Sequence, residues 1–288
     1  MPQDALTLTE KLALERLDAN LFRGFTYTEG EDVPVGRIFG GQVVAQALAA
    51  AYATVDERLC HSLHGYFLRA GDPAIPIIFE VDRARDGGSF TARRVIAIQD
   101  GKQIFNLAAS FQAPEEGLEH QGPMPGPGLP DGAVAAQMAR AFSAPAWRRW
   151  KAFAEPIEMR YGDVDDLMAL ARGEARPPTQ HVWFRCKDLI PADPRQQQIA
   201  LSYASDLTLL MTATRPHGLG LGNTRLQQAS LDHAIWFHRP MDFNQWHLYA
   251  KDSPSASGGR GFTRGLIYAE DGTLVASTTQ EGLIRVRA

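Results

Sequence analysis

The sequence predicts an α+β protein that contains one structural unit twice in tandem, each copy an antiparallel sheet wrapped around a single long helix. Three observations lead there. The 288 residues are about twice the roughly 150 of a common domain. A series of short landmarks recurs in one order at a spacing of about 170 positions. Within each half, one long helical stretch is followed by β-branched and aromatic runs separated by turn residues.

The first residues, MPQDALTLTEKLALERL, read as an amphipathic helix, since acidic residues come early and no uncharged apolar core leads to a cleavage site. LFRGFTY follows as a strand, and GGQVVAQALAAAYATV, rich in Ala, Leu and Gln, as a helix entered through two glycines. HSLHGYFLRA, IPIIFEVDRARDG, SFTARRVIAIQ and KQIFNLAASFQ are strands, with Asp100-Gly101 marking a tight hairpin. Residues 114–132, PEEGLEHQGPMPGPGLPDG, build no packed element and form a linker. The second half repeats the order. QHVWFRC is a strand, and PADPRQQQIALSYASDLTLLM is a long helix opened by proline and aspartate. LQQASLDHAIWFHRP, WHLYAKDS, GFTRGLIYAE and TLVASTTQEGLIRV are the strands after it. A helix apolar on nearly all sides must be buried, and a sheet curled around it is the economical geometry. This is a hotdog unit, expected at residues 1–113 and again at 151–288, with 114–150 as linker and connecting helix.

The repeat rests on particular residues. Ser62-Leu63 and Phe67-x-Arg69 return as Ser230-Leu231 and Phe237-x-Arg239, and Gly87-Gly88 with Phe90-Thr91 return as Gly258-Gly259 with Phe262-Thr263. Asp100-Gly101 returns as Asp271-Gly272, and LAASFQ ending at Gln112 as LVASTTQ ending at Gln280. This alignment pairs Ser62 with Ser230 and Gln112 with Gln280, and sets Gln42 of the first helix near the place of Asp206 in the second.

Composition narrows the function classes. Apolar residues at 44%, charged at 22% and aromatic at 9% describe a folded chain rather than a disordered or fibrous one. A net charge of -4 gives no basic surplus for neutralising phosphates, so no nucleic-acid partner is expected. Cys60 and Cys186 form neither a disulfide framework nor a metal knuckle, which suits a reducing, cytoplasmic setting. The ending RVRA lacks the S-K-L peroxisomal address. No apolar stretch approaches the roughly 18 to 20 residues of a membrane span; the best, 43–55, is short and contains Gln46.

Several catalytic signatures are absent. Ser89 and Ser257 lack the flanking glycines of a G-x-S-x-G elbow, and no P-loop lysine motif occurs. Gly218, Gly220 and Gly222 are followed by Asn223 and lie after a helix, so they read as a loop rather than a dinucleotide site. His61 and His64, three apart in a strand, fall on opposite faces without a third ligand nearby, and His233 and His238 likewise read as sheet histidines satisfied by neighbours; no metal is expected. Trp147, Arg148, Arg149 and Trp150 form a basic aromatic cluster that reads as a surface helix. Asp206 differs. It precedes Leu207, Leu209, Leu210 and Met211, so the helix expected to be buried carries a carboxylate that must be paired, hydrogen-bonded or neutralised.

RIFGGQVVAQAL, HSLHGYFLRAGD, ARRVIAIQDGKQIF, SFQAPEEG, SYASDL, SLDHAIWFHRP and VASTTQEG resemble the acyl-CoA thioesterase II (TesB-like) family, in one order from Leu21 to Arg285. The resemblance implies two fused hotdog units, hydrolysis of a fatty acyl-CoA to free acid and CoA without cofactor, and a catalytic set of Asp206, Ser230 and Gln280. The family has Thr or Ser at the position of Ser230; serine keeps the hydroxyl. Backbone N–H groups at the Gly40-Gly41 helix start, or its equivalent in the second unit, are the expected oxyanion donors. Exposed sheet edges imply a homodimer or homotetramer. Two other readings stand beside this one. A hotdog hydratase or dehydratase would move protons with Asp232 and His233. A non-catalytic acyl-CoA-binding protein would keep the fold without turnover.

Overall fold

In the protein, a computed structural model, residues 6–27, 36–126, 128–130, 153–220, 223 and 225–287 are described. The first half holds α1 (Leu8–Leu12), β1 (Leu14–Asp18), β2 (Leu21–Gly24), α2 (Gly40–Tyr52), β3 (Leu59–Phe67), β4 (Ile77–Asp86), β5 (Phe90–Gln99) and β6 (Lys102–Gln112). The second holds β7 (Ile157–Tyr161), α3 (Val164–Ala171), β8 (Thr179–Cys186), α4 (Pro194–Ser205) and a 3₁₀ helix at Leu210–His217. It continues with β9 (Leu226–Ser230), β10 (Asp232–Phe237), β11 (His247–Ser257), β12 (Arg260–Ala269) and β13 (Leu274–Val286).

Helix α2 shows why the sheets curl. Val44, Ala45, Ala47, Leu48, Ala50 and Ala51 are all fully buried, so every face of the helix is covered. Burying a Val or Leu side chain contributes about 1.5–3 kcal/mol. Its two polar interior residues are satisfied: Gln42 donates to the Phe25 carbonyl and the Thr26 hydroxyl, and Gln46 to the Phe25 carbonyl. Helix α4 packs against α2 in the opposite direction. Tyr52, at the end of α2, donates to Gln198 near the start of α4, while Gly41, at the start of α2, lies against the Tyr203 carbonyl near the end of α4.

The strands form one antiparallel sheet in the order β1-β2-β4-β5-β6-β3-β10-β13-β12-β11-β8-β7, with β9 also paired to β13. The two halves join where β3 meets β10, over Ser62↔Trp236 to Tyr66↔Asp232, and His64 meets Trp236 edge-on at 4.8 Å. The tandem hotdog architecture expected from the repeat is present. Asp100 and Gly101 both have positive φ, 48° and 68°, as the Asp-Gly turn of a two-residue hairpin requires.

Three local expectations change. Residues 1–17 do not form one helix. Thr7 and Glu10 make a reciprocal capping box over the single turn of α1, after which Ala13 turns extended (ψ 144°) and β1 pairs with β2; residues 1–5 lie outside the described residues. The helix expected over 191–211 ends at Ser205, because Thr208 takes φ +67° and the chain tightens into the 3₁₀ helix. The strand expected over 226–240 breaks at Leu231, whose N–H bonds to β13 and whose carbonyl accepts from Phe67 of β3, so the chain changes partners there.

The linker is pinned along the part that is described. Gln121 bonds the Gly272 carbonyl and the Leu274 N–H, and Met124 and Leu129 pack on the cluster of Trp183, Trp246, Leu248, Ala250 and Tyr268. Residues 131–152, including Trp147, Arg148, Arg149 and Trp150, lie outside the described residues, as does Gly222. No described helix is long and apolar enough to cross a membrane.

Candidate active site

The buried helix pair and β13 bring two of the three expected residues into contact. Asp206 caps the C-terminus of α4 and is half-buried. Gln280, fully buried on β13, donates from Nε2 to Asp206 Oδ1 at 2.6 Å. The other carboxylate oxygen faces the start of α2: a Cβ added at Gly40 would stand 2.8 Å from Asp206 Oδ2 and 3.0 Å from the Phe67 ring. A negative charge at the end of its own helix is unfavourable, and at the start of another it is favourable. The antiparallel crossing of α4 and α2 puts Asp206 at both. Phe39, the N-cap of α2, makes no side-chain capping bond. Its ring stacks on Phe153 at 5.2 Å and meets Tyr203 edge-on at 5.0 Å, fixing the helix start beside the carboxylate.

Ser230 reaches the same face by register. It pairs with Gly282, two residues beyond Gln280 on β13, and residues two apart on a strand share a face with those directly opposite. Among the described residues its hydroxyl is not tied to Asp206 or Gln280.

The sequence reading missed two members, His233 and Ser205. His233, fully buried on β10, receives a hydrogen bond at Nδ1 from Gln280 Nε2 at 3.2 Å and meets Ser205 Oγ through Nε2 at 2.8 Å. Burial pushes its imidazole below the ordinary histidine range, with Asp206 pulling the other way. His233 is indeed a sheet histidine satisfied by neighbours, but one of those neighbours is Gln280. The signal was the strand parity that His233 shares with Ile235 and Phe237, which no spacing rule attaches to a glutamine 47 residues on.

Asp232 and His233 do not act as a pair. Adjacent strand residues point to opposite faces, and Asp232 accepts from the Glu281 N–H at 2.6 Å while both His233 nitrogens are engaged elsewhere. His61 bonds Ser110 and His64 packs on Trp236. Among the described residues no group of three His, Cys, Asp or Glu side chains is placed to hold a metal. A half-open cavity of about 290 Å³ lies at the far ends of the two helices, lined by Leu12, Phe22, Ala53 and Ile199, away from Asp206.

The landmark alignment between the halves needs correction. Leu68 and Arg69 both donate to the Ile104 carbonyl, as His238 and Arg239 do to Val275, which pairs those residues. Five residues further along, Ala109 stands where Gln280 stands; five residues back, Leu63 stands where His233 does. Leu63 pairs with Ala109, and Arg93, opposite Ala109, holds the place of Thr263. At the helix ends the C-cap is Ala53 in α2 and Asp206 in α4. So Ser62, Gln112 and Gln42 are not the counterparts of Ser230, Gln280 and Asp206. The hairpin at Asp271-Gly272 carries one residue more than its partner, and a shift of one residue exchanges the faces of a strand. Gln112 faces out and bonds Glu115. In the first unit Ala53, Leu63 and Ala109 stand at the places of Asp206, His233 and Gln280.

Comparison with known proteins agrees with this architecture. Sequence models described as acyl-CoA thioesterase and as acyl-CoA thioesterase N-terminal domain match residues 154–283 and 30–112. Acyl-CoA thioesterase 2 of Haemophilus influenzae is 41% identical over 284 residues, covering 96% of each chain. Acyl-coenzyme A thioesterase 8 of Homo sapiens is 38% identical, covering 98% of this chain and 90% of its own. The crystal structure of an acyl-CoA thioesterase II, TesB2, from Mycobacterium marinum superposes with a TM-score of 0.78 at 43% identity, covering 96% of this chain and 97% of the other. Two fused hotdog units, matched along nearly their whole length at this identity, mean that the chain belongs to the acyl-CoA thioesterase family and is an enzyme of the thioesterase II type.

Proposed function

We propose that this protein hydrolyses fatty acyl-CoA thioesters to free acid and CoA with water activated by Asp206, Ser230 and Gln280. The observation that carries the reading is the 2.6 Å bond from Gln280 Nε2 to Asp206 Oδ1, which leaves Oδ2 toward the uncapped start of α2. Asp206 takes a proton from water as oxygen attacks the thioester carbon. Gln280 Oε1, buried and without a partner among the described residues, is an acceptor for the second hydrogen of that water. Ser230, on the same face, completes the cradle. The tetrahedral oxyanion develops near the backbone N–H groups of Gly40 and Gly41, where the helix dipole favours negative charge. Collapse breaks the C–S bond, and the CoA thiolate recovers the proton from Asp206. No covalent enzyme intermediate is needed.

The domain assignment of 1–113 and 151–288, with the chemistry in the second unit, fits Ala53, Leu63 and Ala109 standing in the first unit where Asp206, His233 and Gln280 stand in the second. Among the described strands, β1 and β7 each have one unpaired edge, which supports self-association as a homodimer or homotetramer. A cytoplasmic setting fits the two buried free thiols.

A thiol-release panel across acyl-CoA chain lengths, with the products identified, tests the reaction. Release of CoA and free acid is expected. An intact thioester hydrated at carbon would replace the reading with a hydratase, and bound but unchanged acyl-CoA would replace it with a binding protein. Ser230→Ala should lower the rate far more than the stability; equal losses would make Ser230 structural.

A further inference from the structure

We infer that His233 is a positioning residue, locked in its Nε2–H tautomer so that Nδ1 holds the Gln280 carboxamide in the one orientation that serves Asp206. This deepens the hydrolytic reading and rests on it.

The tautomer follows from counting protons along one chain of hydrogen bonds. Ser205 donates its single hydroxyl proton to the Ser202 carbonyl at 2.9 Å. A serine hydroxyl has one donor and two acceptor sites, so Ser205 Oγ can only accept from His233 Nε2, 2.8 Å away. The imidazole proton therefore sits on Nε2, and Nδ1 is left as an acceptor. Gln280 Nε2 supplies a hydrogen to Nδ1 at 3.2 Å and its other hydrogen to Asp206 Oδ1 at 2.6 Å. Both amide hydrogens are used, and Oε1 has no choice but to point elsewhere.

The donors run outward from the Gln280 amide, one way to the Asp206 carboxylate and the other through His233 and Ser205 to a carbonyl of the helix that Asp206 caps. If the amide turned over, Oε1 would face the carboxylate oxygen and the lone pair of Nδ1 at once, two repulsive contacts in a buried space. A second restraint holds the far end of Ser205. Tyr249 donates to the Ser205 carbonyl at 2.8 Å and meets the Thr278 hydroxyl at 2.8 Å, tying α4 to the strand that carries Gln280. The first unit shows what the site looks like without this device. Leu63 and Ala109 fill the two places with apolar groups, so leucine at this position is compatible with the fold.

The test uses His233→Leu, which copies the residue in the first unit, beside His233→Asn, whose side-chain oxygen can stand near the place of Nδ1 and accept from Gln280. Steady-state thiol release, with the acyl-CoA that wild type turns over fastest, gives kcat and KM for each, and thermal melts report folding. With His233→Leu, kcat should fall on the order of 30-fold or more while KM stays within about twofold, since the substrate does not touch the imidazole. His233→Asn should recover kcat to within about tenfold of wild type. Long-range ¹⁵N–¹H correlation on the wild type should show His233 protonated at Nε2 and bare at Nδ1. Wild-type kcat in a folded His233→Leu protein, or a proton on Nδ1, would overturn the proposal. If His233→Leu does not fold, Ser205→Ala, which frees the tautomer, should lower kcat at unchanged KM; unchanged kcat there overturns it equally. Full activity in Asp206→Asn would instead refute the hydrolytic reading beneath it.

Discussion

Asp206→Asn separates the chemistry of the carboxylate from its structural part. The substitution keeps the shape and leaves an oxygen to accept from Gln280 Nε2, so the 2.6 Å bond loses its charge but not its geometry. A hydrogen bond to a charged group is worth about 1.5–3 kcal/mol and a neutral one about 1, which sets a loss of about 0.5–2 kcal/mol. Against that, Asp206 caps the C-terminus of α4, where a negative charge costs about 0.3–1 kcal/mol that asparagine does not. The favourable field at the start of α2 is lost with the charge, by a similar amount. The net is a destabilisation of about 0–2 kcal/mol, or a few degrees in Tm for a chain of this size. Removing a general base costs about 10²–10⁴ in rate, or about 2.7–5.4 kcal/mol of transition-state stabilisation. Rate should therefore fall by orders of magnitude in a protein that melts almost where wild type does. Thiol release under saturating acyl-CoA, with calorimetry on the same preparation, gives both numbers. A kcat within threefold of wild type would refute the assignment of Asp206 as the base, and a collapse of Tm by tens of degrees would mean that the carboxylate holds the fold.

Neighbouring glycines at the start of α2 should fail in different ways. A Cβ at Gly41 would stand 2.3 Å from the Tyr203 backbone carbonyl, so Gly41→Ala must push α2 from α4 and should cost about 1–3 kcal/mol in a denaturant melt. Gly40→Ala meets Asp206 Oδ2 at 2.8 Å and should cut kcat with a smaller loss of stability. Lys251 is buried with its amine on Gln180 Oε1 and Thr208 Oγ1, and burial pulls its pKa well below the ordinary lysine value. The unfolded chain binds the extra proton between the two pKa values, so stability rises with pH up to the unfolded lysine value near 10.4; Lys251→Met should flatten that rise in Tm measured against pH. His61, His181, His233, His238 and His247 are each held below the ordinary histidine value, chiefly by burial. Their contribution to stability is complete above pH about 6.5 and is lost as pH falls through the folded-state values, so melts at constant ionic strength should show Tm dropping below that point.

By itself, the sequence determined the elements with strong local signals and their order. The apolar run of α2, the positive-φ turn at Asp100-Gly101 and the alternating strands are set by burial of nearby side chains and by turn sterics, which act over a few residues. The repeat carried those elements into two copies, and the resemblance in SYASDL and VASTTQEG carried Asp206 and Gln280. Where each helix stopped was less legible, because Thr208 and Ala13 break the pattern through backbone conformations that their own identities do not demand. The tertiary structure alone decided what meets at the site. Ser205, His233 and Gln280 converge on Asp206 from α4, β10 and β13, separated by 28 and 47 residues along the chain, and a side chain's partner across a sheet depends on register. Similar letters in LAASFQ and LVASTTQ matched Gln112 with Gln280 three residues out of register, while the hydrogen bonds at Ile104 and Val275 pair Ala109 with it. Local sequence selects helix or strand; closure of the sheet around two antiparallel helices selects which carboxylate, amide and imidazole share one buried space.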